Sequence, residues 1–346
     1  MSIKDYNELV SPFVQTKVLI HNDKFEELKS DKVVSPITCE IDLTDGFCNN
    51  KCKHCFFGTN SKSIPIYMNT EVIKSVIKEL HECNVRGIEF TGGGEPTTHP
   101  DIKEIIAYTL DLGFDVGIIT NGLLLNKIMD VSDKLKFVRI SIDAATPITY
   151  RKVHGVNSFN TVIENIRKLK DAAPKCSIGL GYLIVPDNVS DIVDASILAA
   201  ELGVDYIQYR PASLTYDVKK EVWTEAEDNV KKAITLKINN LQIFNAGIKW
   251  HHVVEERKYS KCTTSSLVSV IKANGDIPLC VLKRNELASI IGNIYDGGFI
   301  KNWYGEKHYE LIDNINLKQC RKPCKHDSYN IVNEAFNLDF YHKNFI

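Results

Sequence analysis

The sequence predicts an α/β fold built on a parallel sheet, and three observations carry that expectation. Six apolar runs of strand length alternate with amphipathic runs of helix length. Polar or glycine-rich motifs recur directly after the apolar runs. The rhythm begins after Ser35-Pro36 and stops after Pro211, leaving a segment of different character at each end. Strand–helix–strand repeats with right-handed crossovers make parallel neighbours, and such a sheet either stays open or curls.

Residues 1–36 are polar and mixed, and Pro36 favours an extended entry to the first strand. Strands are expected at Ile37–Leu43, Gly87–Thr91, Asp115–Ile119, Phe137–Ile142, Ser177–Val185 and Tyr206–Tyr209. Helices are expected near 69–83, 101–112, 124–133, 158–172 and 189–202. Asn69 offers a cap before the first helix, Pro100-Asp101 opens the second, and Gly113 and Gly203 each close one. After Pro211, residues 221–240 read as helix. Near Tyr259 a smaller segment starts, in which Leu267–Lys272 and Ile277–Leu279 flank the hairpin-turn dipeptide Asn274-Gly275. The expected division is an extension over 1–36, a core over 37–215, a helical connector over 216–258 and a Cys-rich α+β module over 259–346.

Composition narrows the function. At 346 residues, 44% apolar and 25% charged, the chain is ordinary globular material with a sizeable core. Forty-two basic against 44 acidic residues leave a net charge of −2, so nothing calls for nucleic acid. No apolar run approaches a membrane span, and Met1 to Leu28 lacks the pattern of a signal peptide. Ten cysteines in such a chain suggest a reducing, cytoplasmic setting and metal ligation rather than disulfides.

The chemistry centres on Cys48, Cys52 and Cys55, three cysteines at C-x3-C-x2-C spacing in the loop after the first strand. Three thiolates hold three corners of a [4Fe–4S] cubane and leave one iron open, as catalytic metal sites require. The rival is a zinc knuckle of the same cysteines with His54. One β–α unit later comes Gly92-Gly93-Gly94-Glu95-Pro96, whose glycines let backbone approach a ligand closely. Asn121 follows the third strand. Ser141 and Asp143 end the fourth on one side by alternation, with Ile140 and Ile142 on the other. A second set, Cys262, Cys280, Cys320 and Cys324, suffices for one fully ligated cluster or one tetrahedral zinc.

These motifs, in this order, resemble the radical S-adenosylmethionine (SAM) enzymes, with His54 at the ring position of the C-x3-C-x-aromatic-C signature. The resemblance implies a partial (β/α)6 TIM-like barrel. It also implies a cluster whose open iron chelates SAM, and one-electron cleavage to a 5′-deoxyadenosyl radical that abstracts hydrogen from a substrate. Gly92, Gly93, Gly94 and Glu95 resemble the strip that holds the SAM amino group, and Ser141 and Asp143 the ribose position. Arg151 is then a partner for the SAM carboxylate, and Val185 and Ile207 would border the adenine. Cys262-x12-Gly275-x4-Cys280, with the pair Cys320 and Cys324, resembles the opening and close of SPASM and Twitch extensions. Gly292-Asn293-Ile294 and Trp303 strengthen that likeness, which implies an auxiliary [4Fe–4S] cluster.

The catalytic group has no motif. Arg210 at the end of the sixth strand and Cys39 inside the first are the candidates, Cys39 as a hydrogen donor if it faces the barrel interior. Cys83, Cys176, His99, His154, His251 and His252 read as packing or surface residues. The expected reaction is dehydrogenation or epimerisation of a small polar molecule such as a sugar or aminocyclitol. An external reductant such as flavodoxin or ferredoxin would feed it. The alternative is a maturase of ribosomal peptides, against which residues 1–36 look short for a leader-binding domain. A non-catalytic electron carrier or zinc protein would need none of the SAM motifs. A molybdopterin-pathway cyclase would have a three-Cys second site and a Gly-Gly tail, where this chain reads Lys343-Asn344-Phe345-Ile346.

Overall fold

The structure is a computed structural model and describes residues 15–57, 64–212, 220–236, 238, 241–245, 257, 259–322 and 324–336. Eight strands form its main sheet: β1 Thr38–Asp42, β2 Gly87–Thr91, β3 Asp115–Thr120, β4 Phe137–Ser141, β5 Ser177–Ile184, β6 Tyr206–Pro211, β7 Gln242–Asn245 and β8 Val268–Ile271. Their order is β8-β1-β2-β3-β4-β5-β6-β7, and every neighbouring pair is parallel. All six expected strands are present. The two additional strands extend the edges and do not pair with each other, so the sheet is open among the described residues.

The expected hairpin is corrected. Its turn exists: Gly275 has φ +88°, and Lys272 N donates to Asp276 O at 2.9 Å. The strand before the turn, however, lies in the main sheet, with Glu40 opposite Val270. The strand after it, β9 (Asp276–Pro278), pairs antiparallel with β10 (Ile290–Asn293). β1 offers an unpaired edge, and the apolar run Val268–Ile271 satisfies it while burying Val270 and Ile271. The Cys-rich module is therefore continuous with the sheet.

Alternation sorts the side chains. Cys39, Ile41, Ile88 and Phe90 lie on the helix-covered face and join the main core with Ile73, Ile77 and Leu80 of the helix Thr70–Glu82. That helix starts where Asn69 Oδ1 accepts from Glu71 N at 2.9 Å and Val72 N at 3.3 Å. The opposite face carries Glu40, Asp42, Glu89, Arg139, Gln208 and Arg210. The Phe137 ring lies over Gly117 and the Tyr206 ring over Gly179, where an added Cβ would meet them at 2.1 and 2.0 Å. Aromatic rings thus fill this face toward the strands' amino ends. Arg210 on β6 lies within electrostatic reach of Glu89 on β2, as on the concave face of a curled sheet.

Two helical readings change. The expected helix 124–133 is a 3-10 turn, Leu125–Lys127, followed by a single α-turn, Met129–Ser132. An unexpected helix spans Pro147–His154, with Thr146 Oγ1 accepting from Thr149 N at 3.2 Å and Gly155 at φ +71° after it. Cap, Pro at the first position and closing Gly were all visible as signals. Outside the sheet, buried Trp303 donates Nε1 to Val34 O at 2.8 Å. Val18, Phe25, Val34 and Leu267 form a small core with Tyr329 and Val332, which ties both ends of the described chain together. No helix among the described residues is long and apolar enough to cross a membrane.

Candidate functional site

The loops after β1, β2, β3 and β4 meet at the carboxyl ends of their strands. The loop carrying Cys48, Cys52 and Cys55 is pinned on one side by Gly46 N to Gly93 O at 3.2 Å and Glu95 N to Phe47 O at 2.7 Å. On the other side Lys51 N donates to His154 O at 2.8 Å. The three glycines serve this docking. A Cβ on Gly92 would meet Asp42 Oδ1 at 2.1 Å, on Gly93 Thr44 O at 2.2 Å, and on Gly94 Phe47 O at 2.2 Å. Gly92 and Gly93 also take φ +59° and +60°. The strip is bare because β1 and the Cys loop press against it.

Glu95 is buried and heavily bonded. Its Oε1 accepts from Thr97 N at 3.1 Å, Thr97 Oγ1 and Thr120 Oγ1, and its Oε2 accepts from Asn121 N at 2.7 Å. Burial still raises its pKa, although each of these bonds pulls the other way. Glu95 thus joins the glycine strip to the end of β3, and Oε2 alone keeps substantial acceptor capacity. Asn121 Nδ2 lies 3.9 Å from Cys48 Sγ and donates to Asn49 Oδ1.

Asp143 is not on a strand, because β4 ends at Ser141 and Asp143 takes φ +50°. The alternation argument that aligned it with Ser141 therefore fails. Its carboxylate accepts from Leu183 N and faces His54 Nε2 at 3.5 Å and His154 Nε2 at 3.4 Å. Burial opposes ionisation, but the His54 hydrogen bond and the charge of His154 hold the Asp143 carboxyl below its usual range. Ser141 is half-buried on the concave face and stands opposite Gly181.

His154 is the residue that sequence reasoning left aside. Its Nδ1 lies 3.1 Å from Cys52 Sγ and 3.2 Å from Asn50 Nδ2, and its Nε2 lies 3.0 Å from Ile142 O. Burial lowers its pKa. Arg151, one helical turn earlier, is exposed and corrects the expectation that it faces the site. Ile207 is fully buried on the outer face with Tyr209, away from the loops, while Val185 packs with Val153 and Ala212 beside them. Cys39 is corrected too: it lies among the core residues on the face opposite Glu40 and Asp42, and burial pushes its thiol up to about 12. Arg210, near the end of β6, is on the concave face. His99, Cys83 and Cys176 are packing residues, His99 through Nε2 to Met68 O at 2.9 Å. His251 and His252 lie outside the described residues.

The residues present suit an iron–sulfur group. The three loop thiols lie within electrostatic reach of one another. Burial pushes Cys48 up to about 11 and raises Cys52, so both stay protonated unless a bound cation replaces the proton. Asn50 N points at Cys48 Sγ from 3.4 Å, a bond that favours thiolate. His54 is turned to Asp143.

The second set behaves alike. Cys280 and Cys320 feel the Cys262 thiol, and Cys324 feels both Cys262 and Cys280. Burial pushes Cys280 up to about 11 and Cys324 up to about 12. His326 N points at Cys324 Sγ from 3.4 Å, repeating the bond at Cys48. Sequence reasoning did not see how these loops reach the sheet. Arg284, shortly after Cys280, forms a buried ion pair with Asp42 and stacks 4.6 Å from the Phe57 ring. Lys325, next to Cys324, pairs with Glu40. Residues apart in sequence made these pairs unreadable.

Residues 44–199 match the Radical SAM superfamily. The chain carries a radical SAM domain. The chain is 26% identical over 303 residues to the mycofactocin maturase MftC of Mycobacterium tuberculosis, covering 84% of this chain and 75% of that one. A probable GTP 3′,8-cyclase of Saccharolobus islandicus is 30% identical over 166 residues, covering 46% and 52%. The crystal structure of Streptococcus suis SuiB bound to S-adenosylmethionine superposes with TM-score 0.68 at 17% identity, covering 85% of this chain and 73% of that one. Membership of the superfamily brings SAM and a [4Fe–4S] cluster as its cofactors.

Proposed function

We propose that this radical SAM protein is an oxidoreductase that matures a ribosomally made peptide. The observation that carries the reading is the likeness to MftC, which spans far more of the chain than the radical SAM segment alone. SuiB, which shares the fold, is known bound to a precursor peptide, SuiA. The relatives thus favour the peptide alternative over the small polar molecule that the sequence put first.

In this reading Cys48, Cys52 and Cys55 hold the first cluster, and Cys262, Cys280, Cys320 and Cys324 hold an auxiliary one. When bound, the cluster and SAM supply one-electron cleavage and hydrogen-atom abstraction, with the electron delivered by a donor such as flavodoxin or ferredoxin. Glu95 Oε2 accepts from the SAM ammonium while its other bonds keep the loop in place. Ser141 meets the ribose, and Val185 gives the adenine an apolar wall. His54, Asp143 and His154 fix the Cys loop against β4 and β5, and the glycine strip excludes water by close packing. None of the ten cysteines is in a disulfide, which suits a reducing cytoplasm.

The test is anaerobic incubation of reconstituted protein with SAM, dithionite and a short peptide encoded beside its gene. A mass change in the peptide that needs all components supports the reading. An unchanged peptide, with deuterium passing instead from a labelled sugar into 5′-deoxyadenosine, would restore the small-molecule reading.

A further inference from the structure

The concave face holds charges that the cluster sites do not use. Lys325 pairs with Glu40, Arg284 with Asp42, and Asp143 with two histidines. Arg139 on β4 and Arg210 on β6 stand on either side of β5. Between them is Gly181, whose added Cβ would lie 3.4 Å from Arg210 Nη2 and 3.7 Å from Arg139 Cδ. Bare backbone therefore separates two guanidinium groups.

Both arginines are short of partners. Arg139 Nε and Arg210 Nε are buried with no hydrogen-bond partner among the described residues. Arg139 has one long bond, Nη1 to Gln208 Oε1 at 3.3 Å. Leaving such donors unmade is unfavourable, and two adjacent cations add repulsion. Burial and the charge of Arg139 push Arg210 down to about 10. Asp143 and Glu89 both bear on Arg210 through charge; Asp143 already faces two histidines, and burial and Glu40 raise Glu89.

We propose that Arg139 and Arg210, flanking Gly181 on the concave face, bind a carboxylate of the substrate. A guanidinium presents Nε–H and Nη–H as a fork that matches a carboxylate, which a lysine cannot do. The position suits a substrate group: Gly181 stands opposite Ser141, and Asp143 is within electrostatic reach of Arg210. On the peptide reading, the carboxylate comes from an Asp or Glu side chain or from the peptide's C-terminus. The inference rests on that reading only for the word peptide.

The experiment uses full-length, cluster-reconstituted protein with saturating SAM, followed by thermal shift and calorimetric titration. N-acetyl-Gly-Gly offers a terminal carboxylate, and N-acetylglutamate α-methylamide offers a side-chain one. N-acetyl-Gly-Gly-amide and N-acetylglutamine methylamide are the uncharged controls. At least one acid should bind about tenfold or more tightly than its amide, and the winning arm names the source. Arg210→Gln and Arg139→Gln should erase that margin, while Arg210→Lys, which keeps the charge but not the fork, should retain part of it and guards against misfolding. Equal binding of acid and amide, or a margin that survives the double Gln variant, overturns the proposal. So does displacement of the acids by SAM, which would assign the pair to SAM's own carboxylate. Acid discrimination without any peptide modification would sink the maturase reading and leave this site standing; the reverse result would do the opposite.

Discussion

Gly94 and Gly113 are both glycines at loop positions, yet they predict different outcomes. Gly113 has φ +88° with nothing within 4 Å of an added Cβ, so Gly113→Ala meets backbone strain alone. It should lower stability by about 1 kcal/mol, read by urea denaturation, with iron content unchanged. In Gly94→Ala the new methyl would meet Phe47 O at 2.2 Å and Thr44 Oγ1 at 2.5 Å, which pushes the Cys loop off the glycine strip. That variant should lose most of the iron that the first cysteine set binds. His308 gives a pH prediction at the same scale. Burial lowers it to about 4, although its Nδ1 bond to Trp303 O at 2.7 Å opposes this. Its folded pKa lies below the unfolded value near 6.5, so its contribution is complete above that pH and is lost as pH falls toward 4. The loss amounts to roughly 3 kcal/mol. The difference in unfolding free energy between pH 7 and pH 4.5 should shrink in His308→Gln, and an unchanged difference would refute the assignment.

At the scale of elements, the C-terminal loops are held to β1 by ions. Removing Arg284 would leave Asp42 buried and unpaired. Arg284→Met should therefore destabilise by about 3–5 kcal/mol, while Arg284→Met with Asp42→Leu should recover most of that in a double-mutant cycle. Additive losses would show that the pair does not couple the loops to the sheet. How much of this was legible depends on range. The six central strands, the helix Thr70–Glu82 with its Asn69 cap, and both cysteine sets follow from local pattern and spacing. β8 was misassigned because Asn274-Gly275 announces a turn but not the partner of the strand before it. His154 was missed, and Arg151 preferred, because the helix Pro147–His154 was not recognised. Once that helix is drawn, its buried row contains Tyr150, Val153 and His154 and leaves Arg151 exposed. The pairs Asp42–Arg284 and Glu40–Lys325 join residues more than two hundred positions apart, which no local signal encodes.

Across the whole molecule, one open parallel sheet brings both cysteine sets to the structure that carries the glycine strip. The N-terminal helix Asn22–Ser30, through Phe25, and the helix Asp327–Phe336 close the other side around Val34 and Leu267. The central claim is that Cys48, Cys52 and Cys55 hold the cluster that meets SAM, and that the four C-terminal cysteines hold another. The most direct measurement is the electron paramagnetic resonance spectrum of dithionite-reduced, reconstituted protein with and without SAM, alongside iron content. The wild type should bind about eight irons and show a signal that SAM perturbs. Cys48→Ala/Cys52→Ala/Cys55→Ala should keep about half the iron and lose the SAM response, whereas Cys262→Ala/Cys280→Ala should keep that response. A SAM response that survives loss of the three loop cysteines, or a fully loaded wild type blind to SAM, would contradict the account.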